Sequence, residues 1–590
     1  MSRNFFVCDF AEDTIVHVLY GIILRMLKSY KLKKKISNNL IEQLLYNRGI
    51  KTPEEKEKFL SPHYENHLRD PFLLPDMEKA VERILFAIEK NEKIAIWSDY
   101  DADGIPGGAL LHDFFKLIGF NNFLNYIPDR HLEGYGMNME GIEKLKEEKI
   151  ELIITIDCGI RNNKEATSAK ELGIEVIITD HHEQSENLPE AFAIINHKRL
   201  DSKYPENVLC GTGTVWKLIQ AILSKNRFGL KEGQEKWLLD LVGLATLSDM
   251  VPLTGENRAL SYFGLSVLRK TRRPGLRTLF RMLKIEPALL TEDDLGFLIT
   301  PRINAASRMG KPRDAFDLLI SKNEAEADVT ARHLDKINDE RKGMVAGMVK
   351  EIRKMLALKI QNHGEKNVIV AGNPLWRPAL LGLAANSIAE EYNRPVFLWG
   401  SHSALATRDK RERVFKGSCR SDGSTDLVGL MERAKSSFTE FGGHKFSGGF
   451  SLDFEKLETL EDSLVEASTN IINTNTEILA DASLKIKDVN ALSAREINRL
   501  APFGVGNEKP LFILENILPE RITRFGKGQE HLSVNLRDGS YTARAIGFFI
   551  QPEKYGGNLI EGKPTNLLAT MELSYFGGRE ETRLRIVDFF

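Results

Sequence analysis

Short apolar runs recur at 94–97, 123–127, 152–156, 176–179 and 192–195, and segments of helical period at 108–118, 139–149 and 164–172 separate most of them. Strands that read as continuous apolar runs and alternate with helices predict a parallel sheet covered on both faces. Upstream, 37 to about 80 is helical in pattern, with Leu40, Leu44 and Leu45 on one face and Pro53 and Pro62 as breaks; 77–90 reads as an amphipathic helix. Downstream, about 270–356 is helical and rich in Leu, Arg, Lys and Glu. A second α/β pattern begins at 368–371, takes in a helix at 379–392 and a strand at 396–399, and runs to about 473. From roughly 478 onward, short strands alternate with turn signals such as Asp538-Gly539, the pattern of a small β-barrel.

The expected organisation is an N-terminal extension and helical cap (1–75), a parallel-sheet α/β domain (76–270) and a helical connector (271–356). A second α/β domain (357–474) and an OB-like barrel (475–590) follow. A chain of 590 residues is too long for one core, which agrees with several domains.

Charge sharpens the picture. Lys+Arg 81 against Asp+Glu 83 gives a net charge of -2, so a uniformly basic nucleic-acid coat is excluded and any polyanion site is a local patch. The segment 401–420 supplies one, since Arg408, Lys410, Arg411, Arg413, Lys416 and Arg420 meet only Asp409 and Glu412. The 4 cysteines form no C-x-x-C pair, which argues against a zinc knuckle or a disulfide framework and fits a reducing compartment. The apolar stretch 15–24 falls short of a membrane span and follows Asp9, Glu12 and Asp13 rather than a basic segment, so a cytoplasmic protein is expected.

Ligands of open α/β sheets bind at the carboxyl ends of the strands. Here Asp99, Asp101 and Asp103 follow the first run, Asp129 and Arg130 the second, Asp157 the third, and Asp180-His181-His182 the fourth. Any one of these acids alone is an ordinary turn or helix-cap residue; their common placement is not. Carboxylates about 4 Å apart repel by roughly 4 kcal/mol per pair at an effective dielectric near 20. Such a cluster therefore calls for cations or for protonation. Carboxylate and imidazole donors without thiolates suit Mn²⁺, Mg²⁺ or Zn²⁺, and oxygen-rich sets favour the first two. The segment 211–217 lacks the spacing of a phosphate-binding P-loop and reads as a helix start packed on the sheet.

Asp99-Tyr100-Asp101-Ala102-Asp103-Gly104 and Asp180-His181-His182 resemble signatures of the DHH phosphoesterases. Pro128-Asp129-Arg130, Gly134-Tyr135-Gly136, Thr155-Ile156-Asp157-Cys158-Gly159 and Ser248-Asp249-Met250 extend the resemblance. So do the stretch from Pro301 to Arg308, Gly417-Ser418-Cys419-Arg420-Ser421, Gly442-Gly443-His444 and the run from Pro502 to Asn507. Over about 37–590 the order is that of the family's single-strand-specific 5′ exonucleases. The resemblance implies a DHH domain, a DHHA1-type second α/β domain and a C-terminal OB-fold. It also implies metal-dependent 5′→3′ hydrolysis of single-stranded DNA to 5′-mononucleotides in repair and recombination.

On the same resemblance Asp101, Asp103, Asp157, His181 and Asp249, with Asp99 beside them, hold two Mn²⁺ or Mg²⁺ ions. Catalytic roles fall to Asp157, His182 and Asp180, the last orienting imidazole. Arg130, Ser418 and Arg420 take the 5′-phosphate, and Arg302, Asn304, Arg308 and His444 line the track near the cut. A helicase and a single-strand-binding protein are the implied partners of a monomer with no membrane association. Phosphodiester cleavage of short oligonucleotides or cyclic dinucleotides is the alternative. Phe525, Tyr541, Phe548 and Tyr575 are aromatic residues of the barrel to which no site is assigned. Three departures stand out: Pro106 where the family has threonine, Ser307 where it has glycine, and Trp376-Arg377-Pro378-Ala379 in place of a Trp-His-x-Gly turn. Of these, Ser307 is expected to crowd the track if its φ is positive.

Overall fold

The fold is that of a computed structural model. It describes residues 29–401, 415–421, 423, 425–468, 477–526, 528–550, 552–576 and 579–590. The stretch 15–24, most of the unexplained N-terminal extension, and Arg408, Lys410, Arg411 and Arg413 of the basic patch lie outside the described residues. Two compact units form: Leu68–Val251 with Gly255–Asn473, and the chain before Leu68 with Pro252–Thr254 and the chain from Thr474.

The first strand, β1 (Ser29–Leu32), belongs to the second of these units. Early in the larger unit comes the helix Met77–Lys90, whose buried face carries Met77, Ala80, Val81, Ile84 and Ala87. Five parallel strands follow: β2 (Ile94–Ser98), β3 (Phe123–Tyr126), β4 (Leu152–Ile156), β5 (Glu175–Thr179) and β6 (Ala193–Ile195), in the spatial order β3-β2-β4-β5-β6. Strands β2 and β4 are buried along their whole length, the reason their sequences do not alternate. The chain leaves β2 toward one side, forms β3, and returns to the other side as β4. This reversal opens a crevice at the carboxyl ends of β2 and β4.

Helices Leu239–Ser248 and Thr300–Arg308 lead to the long helix Glu324–His363, which outruns the connector boundary expected at 356. Its later turns bury Met348, Val349, Ile352 and Leu356 in the core of the second sheet. That sheet contains β7 (Ile369–Gly372), β8 (Val396–Gly400), β9 (Phe415–Arg420), β10 (Glu440–His444) and β11 (Ser447–Leu452), in the order β10-β11-β9-β8-β7. The helix Pro378–Tyr392 covers one face through Leu380, Leu381, Ala384 and Ile388.

In the other unit, β1 pairs in parallel with β12 (Glu477–Ala480), ahead of the short β13 (Ala482–Ser483). The barrel strands are β14 (Phe512–Phe525), β15 (His531–Asp538), β16 (Tyr541–Gly547), β17 (Thr565–Phe576) and β18 (Arg579–Phe589). They pair as β14-β15-β16-β18-β17, and β17 returns to β14, which closes the barrel. Antiparallel pairing throughout except for the parallel β16–β18 contact is the OB arrangement. Tyr541 and Tyr575 are exposed and Phe525 and Phe548 half-buried, so none of the four is core. The N-terminal helices are not a separate cap as expected: Ile41, Leu44 and Leu45 pack in one cluster with Leu514, Leu532 and Phe589 of the barrel. Among the described residues no helix is long and apolar enough to cross a membrane.

Candidate metal centre and phosphate-binding cluster

The crevice between β2 and β4 gathers the acids. The loop after β2 turns at once into the helix Gly104–Leu117, and Asp101 Oδ1 accepts the N–H groups of Asp103 at 2.8 Å and Gly104 at 3.1 Å. Only glycine fits at 104, because a Cβ there would lie 2.5 Å from the Asp99 carbonyl oxygen. Pro106 falls in the first turn of that helix, where a missing N–H costs nothing, so the threonine-to-proline departure leaves the helix start intact. Asp103 accepts the N–H of Gly211 at 2.6 Å and of Thr212 at 2.8 Å, so its carboxylate caps the helix Gly211–Lys225.

Asp157 ends β4 in the left-handed conformation, φ 60°, which aspartate adopts more readily than most residues. A Cβ at Gly211 would stand 2.5 Å from the Asp157 Cβ, so glycine is what lets the strand end approach the helix start. Gly211→Ala is therefore expected to displace Asp157 and weaken Mn²⁺ binding at least about tenfold with the fold kept, as read by titration calorimetry beside circular dichroism.

His181 brings the two sides together. Its Nε2 lies 3.1 Å from Asp157 Oδ1 and 3.7 Å from both Asp103 Oδ2 and Asp249 Oδ2. Asp249 arrives from the end of the helix Leu239–Ser248. Three donor sets have their atoms within 4.8 Å of one another: Asp99, Asp101 and Asp157; Asp103, His181 and Asp249; and Asp157, His181 and His182. All six carboxylate and imidazole residues expected to bind metal thus converge, with Asp157 shared between sets.

Without cations the cluster is electrostatically frustrated. Burial, then the charge of Asp101, raises the Asp99 carboxyl well above its usual range; burial, then Asp103, does the same for Asp157. Burial and Asp103 push Asp249 up to about 9. Asp99 Oδ1 and Asp157 Oδ1 are buried with no hydrogen-bond partner. Buried carboxylate oxygens without hydrogen bonds, in a set whose donor atoms lie within 4.8 Å of one another, are what divalent cations satisfy, so the residues fit the group.

Asp180 is different. Its Oδ1 accepts the N–H groups of His181 at 2.7 Å and His182 at 3.1 Å and pairs with His182 Nδ1 at 2.8 Å, while its Oδ2 accepts the Ile160 N–H at 3.0 Å. Burial opposes its charge, but His182 and His181 outweigh this and hold it down at about 2. With Oδ1 engaged by three donors and Oδ2 by the Ile160 N–H, Asp180 orients imidazole instead of binding metal. His182 is half exposed; burial would lower its pKa, yet the Asp180 hydrogen bond and charge raise it. The Tyr135 hydroxyl, which donates to the Asp157 carbonyl oxygen at 2.9 Å, lies 3.1 Å from the same ring nitrogen.

Beside the acids stands a group of guanidiniums. Burial, then the charges of Arg130, Arg341 and Arg420, lowers Arg308 to about 9. Three guanidinium charges bearing on a fourth complement a phosphate dianion. Arg130 lies over the Tyr100 ring at 4.9 Å, and Arg420 donates to the Cys419 carbonyl at 2.7 Å and to Ser418 Oγ at 3.1 Å. Arg308 donates to the Ala379 carbonyl at 2.6 Å, so the altered turn still supplies a backbone acceptor to this cluster.

Arg302 is placed otherwise than expected. Its guanidinium is buried against Asp335 at 2.6 Å and the Leu298 carbonyl at 2.6 Å; this pairs the helix Thr300–Arg308 with the long helix and leaves no fork for DNA. Asn304 accepts the Ala102 N–H at 2.9 Å and so fixes the metal-side loop. Ser307 does not crowd the track: it is helical and fully buried, with Oγ donating to the Asn304 carbonyl at 3.2 Å. His444 is exposed at the end of β10, where Gly442 and Gly443 face Gly449 and Gly448 across the ladder. Arg341, Gly211 and Thr212 are functional candidates that the sequence did not single out. Arg341 sits in the run Glu340-Arg341-Lys342 of a highly charged helix, where periodicity marks no residue as special.

This sheet with its switch-point cluster is a DHH domain: residues 93–246 match the DHH family, N-terminal domain, and residues 480–588 match the RecJ OB domain. The chain is 33% identical over 553 residues to the single-stranded-DNA-specific exonuclease RecJ of Bacillus subtilis, covering 93% of this chain and 67% of that protein. It is 31% identical over 581 residues to RecJ of Haemophilus influenzae, covering 94% and 96%. The crystal structure of RecJ in complex with Mn²⁺ from Thermus thermophilus aligns with a TM-score of 0.78 at 26% identity, over 96% of this chain and 80% of that one. The chain belongs to the RecJ family.

Proposed function

We propose that this chain is a divalent-cation-dependent exonuclease that degrades single-stranded DNA from its 5′ end to 5′-mononucleotides. The observation that carries the reading is the adjacency of the Asp/His cluster and the four-arginine cluster, one built for cations and the other for a terminal phosphate. Its relatives of known name are single-stranded-DNA-specific exonucleases, and one of them was crystallised with Mn²⁺.

Asp99, Asp101, Asp103, Asp157, His181 and Asp249 would hold two Mn²⁺ or Mg²⁺ ions. Such ions supply a hydroxide at neutral pH and neutralise charge on both the attacking and leaving oxygens. The chain's own residues do the rest. Arg130, Arg308, Arg341 and Arg420, with Ser418, grip the terminal phosphate and set the first phosphodiester over the acids. Asn304 holds the loop of Asp101 in register. His182, kept protonated more readily than a free histidine by Asp180, donates a hydrogen bond or proton toward the scissile phosphate. The hairpin of β10 and β11, with His444 at its end and little side-chain bulk at its four glycines, offers a surface for the trailing strand.

The enzyme so described works as a monomer in the cytoplasm, in repair and recombination, on strands exposed by a helicase or held by a single-strand-binding protein. The test is digestion of end-labelled DNA with Mn²⁺. The expected result is mononucleotide release from the 5′ end of single strands, none from blunt duplex, and none after chelation by EDTA. Cleavage of cyclic dinucleotides with long strands left intact would move the assignment to small-substrate hydrolysis.

A further inference from the structure

His197 has no part in the site described so far. It lies two residues past the end of β6 and is 1% exposed, yet neither ring nitrogen has a hydrogen-bond partner. An apolar side chain would fill the same space without stranding two polar atoms. What surrounds it supplies the reason for an imidazole. In the β5–β6 ladder Thr179 pairs with Ile195, and the Asp180 N–H continues the pattern to the Ile195 carbonyl at 3.1 Å. Two residues further on each chain are His181 and His197. Asn196 ties the two segments by donating from Nδ2 to the His182 carbonyl at 2.9 Å.

His181 has a need that matches. Its Nε2 faces Asp157, Asp103 and Asp249, so its Nδ1 points away from the acids; that atom is buried and has no partner either. An imidazole that ligates through one nitrogen carries its proton on the other, and an acceptor for that proton fixes the tautomer and the ring. Asp180 does not serve: its Oδ1 takes the His182 ring and the N–H groups of His181 and His182, its Oδ2 takes the Ile160 N–H, and His181 Nδ1 bonds to neither. A neutral imidazole offers one ring-nitrogen lone pair, and that of His197 is unengaged.

We propose that His197 is the positioning residue of His181, accepting its Nδ1–H through one buried water and so aiming Nε2 at the cations. The proposal rests on the metal-binding reading of the Asp/His cluster. It assigns a role to a residue outside all the motifs quoted above.

Mn²⁺ titration calorimetry on the full chain tests it, with thermal unfolding alongside. His197→Phe removes the acceptor and fills the space; we expect the Mn²⁺ Kd to rise about tenfold or more at an unchanged or higher Tm. His197→Gln keeps an acceptor and should hold the parent Kd within about threefold. If the phenylalanine variant does not fold, His197→Leu gives the same comparison. Parent-like Mn²⁺ affinity in the apolar variant would overturn the role of His197 and leave the metal centre standing. A parent chain that takes up no Mn²⁺ would overturn both.

Discussion

Asp157→Asn should abolish strand hydrolysis, cutting kcat by about 10³-fold or more, while Tm stays level or rises. The carboxylate belongs to two of the three donor sets, and its Oδ1, though 3.1 Å from His181 Nε2, accepts no hydrogen bond. A loss of that size is at least ~4 kcal/mol of transition-state stabilisation. Stability should not suffer, since asparagine tolerates the left-handed backbone at this position and removes one charge from a cluster where burial and Asp103 already resist ionisation. Single-turnover rates on a labelled single strand and a thermal melt would check both halves. Near-parent hydrolysis by the variant would show that the chemistry lies elsewhere.

The second large effect belongs to the arginines. Arg420→Ala should raise the KM for 5′-phosphorylated strands by about 10- to 100-fold, the loss of roughly 1.5–3 kcal/mol carried by hydrogen bonds between charged groups. Strands with a 5′-hydroxyl should change little, because the lost contact is to the terminal phosphate and kcat draws on the acids. Arg420 is suited to the role because it is already anchored through the Cys419 carbonyl and Ser418. Equal losses on both kinds of end would assign Arg420 to the general DNA track instead.

These expectations stand on parts of the protein that differ in how far they could be read from sequence. The parallel sheet was legible because its strands are buried on both faces and so write themselves as unbroken apolar runs; the run 152–156 is the observed strand Leu152–Ile156. The metal cluster was legible because acids recur at the carboxyl ends of those runs. What stayed hidden depends on partners remote in the chain. Nothing near Arg302 announces Asp335, which removes it from the DNA track. The capping by Asp103 of the helix that begins at Gly211 and Thr212 spans more than a hundred residues and shows in sequence only as an unremarkable helix start. Arg341 looks like any charged residue of a solvated helix until its neighbours are seen to be Arg308 and Arg302. The N-terminal helices read as a separate cap because their apolar residues say only that something covers them. Leu44 and Leu45 are covered by the barrel, more than 400 residues later.

Anomalous diffraction at the manganese edge, from crystals of the parent chain soaked in Mn²⁺, addresses the cation cage itself. Two peaks flanking the Asp157 carboxylate are expected, one toward Asp99 and Asp101 and the other toward Asp103, His181 and Asp249. No peak there, or manganese bound only at sites away from Asp157, would contradict it.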